Sequence, residues 1–401
     1  MKIAKEKITI IITILIDVIG FSIIIPVLPF YISSFGASTF TMTLLFSIFS
    51  LCSFFSAPLL GSLSDKIGRR PIMIISIASS AIGWYFFAFA HSLIWLFIGR
   101  IIDGLAAGNL STAQSYLSDL AKDKQERTQN MGLFGAAFGL GFLIGPFIGA
   151  ILSSYSHSLP FLAVAILSTI NLIGAIFFLP ETKHKDHTNT EKISLNPFTP
   201  VFSAFRDNNL KSRYLIWFLF NLANTVQQTI FAIYLFDQFG LTAAFVGYIM
   251  TFMGLIMIIN QGFLMQKFWL KYFKESKLEI VFTLIFSISY LLMAIPNIFV
   301  FLLALLPMIL GQSLLRVIMS SRASGIAGIK RRGEVLGIMS SIQSTAAIIG
   351  PLISGIIYAN IRYLPFLIAS ATMFMVFIIF KYFCPRIGEI NDDDLPIAEA
   401  L

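Results

Sequence analysis

Charge is scarce in this sequence. Of its 401 residues, 12% are Asp, Glu, Lys or Arg and 57% are hydrophobic, whereas globular chains average about 25% charged. That deficit excludes a soluble protein of this length. Cysteine is scarcer still. Cys52 and Cys384 lie far apart, in or beside apolar segments, and nothing around them has the spacing of a disulfide framework or a metal site. No nucleophile–base pair, metal cluster or nucleotide loop is present, so the sequence argues against an enzyme and calls for no cofactor. The short alternating segments of a β-barrel are missing as well.

What the chain does have is apolar runs of about 20 residues from end to end, each able to cross a bilayer core of about 30 Å at 1.5 Å per residue. Twelve transmembrane helices are expected, at 8–31, 41–63, 71–90, 93–120, 129–154, 160–180, 213–236, 243–268, 277–296, 298–322, 334–358 and 363–384. The run after "MKIAKEK" is too long for a signal peptide and no small-residue cleavage site follows it, so it is read as an uncleaved first span.

The net charge of +8 does not point to nucleic acid, because the basic residues sit in short connectors. Lys2, Lys5 and Lys7 precede the first span. Lys66, Arg69 and Arg70, then Lys122, Lys124 and Arg127, then Lys271, Lys274 and Lys277, then Lys330, Arg331 and Arg332 occupy alternate connectors. The opposite connectors hold only Arg362. The positive-inside rule then puts both termini in the cytoplasm, and high Ile and Lys usage points to a bacterial inner membrane.

The two halves are related. "GPFIGA" at Gly145 and "GPLISG" at Gly350, "LPFL" at Leu159 and Leu364, and Gly132 with Gly337 all share one offset of 205 positions. Six helices per repeat is an even number, so both halves have one orientation, which predicts two six-helix bundles in the parallel-repeat arrangement of certain transporters. The expected organisation is an N-terminal bundle at 1–180, a cytoplasmic linker at 181–212, a C-terminal bundle at 213–384 and a tail at 385–401. In the linker Phe198, Val201, Phe202 and Phe205 recur at helical spacing, as in a helix lying on the membrane surface. His184 and His187 are read as polar filler rather than metal ligands, and "NDDD" in the tail as solvated.

Asp17 stands inside the first apolar run. Nine residues from its cytoplasmic end put it about 14 Å deep, where a charged side chain costs roughly 2.5–3.5 kcal/mol and normally faces a cavity or a partner. The fourth span supplies partners: Arg100 and Asp103, three apart on one helix face, about 10 and 15 Å below the outer surface. One acid can pair with Arg100. The other, desolvated beside a like charge, becomes a candidate to load and release a proton. Which of the two it is stays open. The bland alternative is a fully paired cluster that only holds helices together.

In the seventh span Asn221, Asn224 and Gln228 share a face, with Phe231 and Tyr234 nearby. Gln114, Asn260 and Gln343 add uncharged polar groups on other spans. A cavity of amides and aromatics suits an amphiphilic organic molecule. Interhelical hydrogen bonding is the alternative use of any single amide.

The connector from Gly61 reads "GSLSDKIGRRP". Gly61, Leu63, Asp65, Lys66, Gly68, Arg69 and Arg70 match the first-loop signature Gly-x-Leu-x-Asp-Lys/Arg-x-Gly-Arg-Arg/Lys, and on this pattern the chain resembles the major facilitator superfamily, within it the tetracycline-exporter type of drug:proton antiporter. The resemblance extends over essentially the whole chain. It implies that Gly61, Asp65, Gly68, Arg69 and Arg70 form a cytoplasmic latch between the bundles. Arg100 with Gly104 fits the family's Arg-x-x-x-Gly. Gly145, Pro146 and Gly149 fit the antiporter motif ending Gly-Pro-x-x-Gly-Gly, except that its last glycine is Ala150 here.

Tetracycline exporters of this type carry an acid in the third helix, a histidine in the eighth and an acid within the ninth. Here Gly83-Trp84, Met257 and a Glu279 placed at the cytoplasmic start of its helix stand in those regions. A metal–tetracycline chelate would lose those ligands, so another cargo is expected. The reading is proton-driven export of a small amphiphilic drug or metabolite by alternating access, by a protein complete as a monomer in the lipid bilayer. The alternative is an uptake symporter or facilitator for a sugar, organic acid or other nutrient.

Overall fold

The structure, a computed structural model, describes residues 5–121, 124–181, 204, 210–327 and 331–383. The linker positions Phe198, Val201, Phe202, Phe205, His184 and His187, the tail, and Cys384 lie outside the described residues.

Among the described residues every regular element is helical. The first half comprises α1 (Lys5–Ser33), α2 (Thr39–Ile67), α3 (Arg69–Ala88), α4 (Leu93–Leu105), α5 (Asn109–Asp119), α6 (Lys124–Ser153) and α7 (Leu159–Phe178). The second comprises α8 (Lys211–Phe239), α9 (Ala243–Ile259) continued by a π-helical stretch over Asn260–Trp269, α10 (Glu275–Met293), α11 (Ile298–Ile326), α12 (Arg332–Asn360) and α13 (Leu364–Phe383). Among the described residues eleven stretches are long and apolar enough to cross a membrane, with α4 and α5 forming one of them. The remaining long helix, α8, has 29 residues. Its amides Asn221, Asn224, Gln227 and Gln228 lower its hydropathy.

The fourth span is not one helix over 93–120. It breaks at Ala106–Gly108, three residues after Asp103, and restarts at Asn109. The break frees backbone carbonyls inside the bilayer, where each needs a partner. Ser79 donates to the carbonyl of Ile102 at 2.6 Å and Ser56 to that of Gly104 at 2.7 Å. Neighbouring helices thus stabilise the interruption.

Small residues set the helix contacts, as expected where no hydrophobic force draws helices together in lipid. Gly141, Gly145 and Gly149 lie four apart on α6. A Cβ at Gly141 would meet Val18 Cβ at 2.7 Å, one at Gly149 would meet Ile23 Cγ1 at 2.9 Å, and one at Gly145 would collide with the Ser22 hydroxyl. This ridge seats α1 along the stretch that carries Asp17. In the second half a Cβ at Gly350 of α12 would meet Thr225 Cβ of α8 at 2.9 Å. The repeat is therefore visible in packing: α6 lies on α1 as α12 lies on α8, and α3 on α7 as α10 on α13. Helices α7 and α13 have 20 residues each, displaced by the same 205 positions at both ends.

The chain forms two compact units, 1–197 with 240–252, and 198–239 with 253–401. The start of α9 joins the first unit because Gly247 leaves room for α6: a Cβ there would stand 2.7 Å from both the Pro146 carbonyl oxygen and Ala150 Cβ. Ala150 is the position where the antiporter motif has glycine, so the space for its methyl group is supplied by the opposite helix.

Candidate functional site

Arg100 is buried on α4, its side chain 3% exposed. Its guanidinium carbon lies 5.2, 5.4 and 4.9 Å from the ring centres of Phe49, Trp84 and Phe87, within cation–π range. Its Nη1 is 3.6 Å from Asp103 Oδ2, an ion pair too long for a hydrogen bond. Ser80 donates to the other Asp103 oxygen at 2.7 Å. Of the two acids, Asp103 is thus the one held by Arg100. Close approach of α3 and α4 makes this possible, since a Cβ on Gly83 would meet the Gly99 carbonyl oxygen at 2.9 Å and one on Gly99 would meet that of Gly83 at 2.8 Å.

Asp17 faces the same cluster from α1. Its carboxylate feels the charge of Asp103 and meets the side chain of Asn109, the first residue after the break. Asp17 Oδ2 is shielded from solvent and accepts no hydrogen bond among the described residues. Around the break Ser76 Oγ, Asn109 Oδ1 and Thr112 Oγ1 are also buried without a partner among those residues. Two carboxylates therefore stand together beside the end of a broken helix, Asp103 held by a guanidinium and Asp17 not, a place where transporters commonly build ion sites. Sequence reasoning missed Asn109 and Ser80. The glycines of "DGLAAGN" were the available signal for the break.

The connector motif is tied down within the first unit. Gly68 has φ +112°, a conformation that favours glycine, and a side chain there would run into the Glu181 carboxylate. Glu181 accepts from the backbone N–H of Arg69 at 2.9 Å and of Arg70 at 3.3 Å, capping the start of α3. The Arg69 guanidinium reaches Asp119 at 3.1 Å and Ser64 at 2.7 Å, and Arg70 donates to the Ile176 carbonyl at 2.7 Å. Among the described residues nothing lies within 4 Å of a Cβ built at Gly61. The side chain of Asp65 lies outside the described residues. Glu181 was not read from the sequence.

The expected cavity residues divide. Phe231 and Tyr234 are fully buried in an aromatic cluster, with Tyr234 4.7 Å from Phe366 and both near Phe301. Asn260 donates to Ser313 Oγ at 2.6 Å and accepts from Trp269 Nε1 at 2.8 Å, spanning the π-helical stretch. Asn221 and Asn224 donate to carbonyls of their own helix, and the Asn224 amide oxygen stays buried without a partner among the described residues. Gln228 and Gln343 are half-buried, and Gln114 is exposed. Gln343 is level with Asn221, since Trp217 donates to the nearby Met339 carbonyl at 2.9 Å.

Glu279, the one acid the sequence offers for the ninth span, is committed elsewhere. Arg213 reaches it at 2.6 Å and Arg322 at 3.1 Å, all three side chains being buried. Among the described residues no His, Cys, Asp and Glu cluster could hold a metal.

The profile described as Major Facilitator Superfamily matches residues 10–278 and 218–396. The class H tetracycline resistance protein of Pasteurella multocida is 28% identical, covering 95% of this chain and 97% of its own. The quinolone resistance protein NorA of Staphylococcus aureus is 25% identical, over 85% of this chain and 86% of its own. The crystal structure of the human organic anion transporter MFSD10 (TETRAN) has a TM-score of 0.70 at 21% identity, covering 94% of this chain and 99% of its own.

Proposed function

Because the chain belongs to the Major Facilitator Superfamily, and is therefore a membrane transporter rather than an enzyme, we propose that it exports a small amphiphilic compound in exchange for protons. The observation that carries the reading is Asp17: a carboxylate within a membrane span, one oxygen shielded and without a partner among the described residues, facing Asp103 and Asn109. Membrane-embedded acids of this kind mark ion pathways.

Asp17 carries the proton and Asp103 sets its surroundings. A proton on Asp17 removes the charge that Asp103 repels, and its release restores that charge. Arg100 holds Asp103 in place. Coupling follows when Asp17 meets water from one side in one state and from the other side in the next, as in alternating access. The glycine ridge on α6 bears directly on this helix, so movement of α1 against α6 is a natural way to change that access. Arg69 and Arg70, tied to the ends of α5 and α7, are assigned to holding one of the two states. Relatives named for tetracycline and quinolone resistance support export over uptake. The absence of the tetracycline-type acid and histidine from the third and eighth spans argues for a different cargo. Both termini are assigned to the cytoplasm from the distribution of Lys and Arg.

The test uses purified protein in proteoliposomes with an imposed pH gradient and a compound library. Wild type should give compound-dependent proton flux. Asp17→Asn should abolish that flux while leaving compound exchange without a gradient intact. Unchanged flux in Asp17→Asn would sink the assignment.

A further inference from the structure

Helix α11 carries two arginines whose circumstances differ. Arg322 is neutralised by Glu279 at 3.1 Å. Arg316, six residues earlier, has no hydrogen bond, and no carboxylate acts on it, among the described residues. The second unit has four acids among those residues: Asp237, Glu275, Glu279 and Glu334. Asp237 accepts from Tyr358 at the far end of α8, Glu275 opens α10, Glu279 is held by two arginines, and Glu334 pairs with Arg331.

Arg316 is nonetheless deep in its span. Of the 29 residues of α11, those before it cover about 27 Å and those after it about 15 Å, so its Cα lies inside a hydrocarbon core of about 30 Å. A cation there faces protein or a water-filled cavity, not lipid. The helix surface agrees. Gln312, Ser320 and Ser324, at four-residue intervals, form a half-buried polar row with Arg316, while the exposed apolar residues Leu303, Leu306 and Val317 lie on another side. By contrast Arg100 in the first unit is already engaged by Asp103 and three rings.

A guanidinium without a counter-ion among the described residues, at this depth, fits a planar anion, which it can grip through two parallel N–H donors. We propose that Arg316 binds an anionic group of the transported compound, with Gln312 one turn away as a further donor, so that the cargo is an amphiphile bearing a carboxylate. The substrate role rests on the exporter reading above; the anion site itself does not.

Binding is measured on the full chain in phosphatidylcholine nanodiscs, with matched pairs as probes: 1-naphthoate against 1-naphthamide, and 4-hexylbenzoate against 4-hexylbenzamide. Wild type should bind an acid at least tenfold more tightly than its amide. Arg316→Gln should lose that preference with the amide affinity unchanged, and Arg316→Lys should retain part of it. The unchanged amide affinity also certifies that the variant is folded. No acid preference in wild type, or a preference that persists in Arg316→Gln, would overturn the site. A preference that disappears when phosphatidylglycerol is added would assign Arg316 to lipid phosphate and overturn it too. Proton flux separates the two readings. Flux with amides or cations but never with acids leaves the exporter reading standing and removes the carboxylate cargo. Acid binding through Arg316 without any Asp17-dependent flux keeps the site and removes proton-driven export.

Discussion

Arg100 is held as much by aromatic faces as by its carboxylate, and the two supports respond differently to substitution. Removing one member of a buried ion pair typically costs about 3–5 kcal/mol, because the other charge is stranded, while replacing both by apolar groups is often neutral. Asp103→Leu should therefore lower the thermal stability of the purified protein strongly. Adding Arg100→Met should recover much of that loss, although neither protein should transport. Thermal unfolding of the two single variants and the double variant in one detergent checks this. Equal destabilisation by Asp103→Leu with and without Arg100→Met would show that the rings alone stabilise the guanidinium. Arg100→Lys is not a conservative change at such a stacked site.

Helices in this protein meet through missing side chains, and the contact between α6 and the start of α9 can be tested in both directions. Gly247→Ala brings a methyl group to 2.7 Å from Ala150 Cβ, too close to be tolerated without movement. Transport should fall at least tenfold. Ala150→Gly in the same chain should restore part of it, the remaining clash being with the backbone oxygen of Pro146. Transport rates of the two single variants and the double variant give the answer, and rates that simply multiply would mean the two residues do not share this space. Much at this scale could be read from residues alone. The spans are legible because their lengths are set by the bilayer, and Asp17, Arg100 and Asp103 because charge in an apolar run is conspicuous. The break at Ala106–Gly108 is less so, since "LAAG" keeps the window apolar while the chain leaves the helix, and only the glycines around it mark the place. Phe231 and Tyr234, aromatics that the sequence offers for a cavity, pack against Phe301 and Phe366. Aromatic type does not say which side of a helix faces a core. The partners of Glu279 come from positions 66 and 43 residues away, a distance that no local pattern spans.

For the whole molecule, the distribution of lysine and arginine over alternate connectors makes a definite topological statement. A fluorescent protein fused after Leu401 should mature in the cytoplasm, and alkaline phosphatase fused there should stay inactive. The reverse pair of results would invert the orientation and with it the direction assigned to transport. The unneutralised guanidinium of α11 also has an electrical consequence. If one monoanion leaves for each proton that enters, two elementary charges cross the membrane per cycle. A potential of 100 mV, negative inside, then contributes about 4.6 kcal/mol, at about 2.3 kcal/mol per charge. Export would draw on voltage even with the pH gradient collapsed, and a capacitive current on a supported membrane would register each turnover.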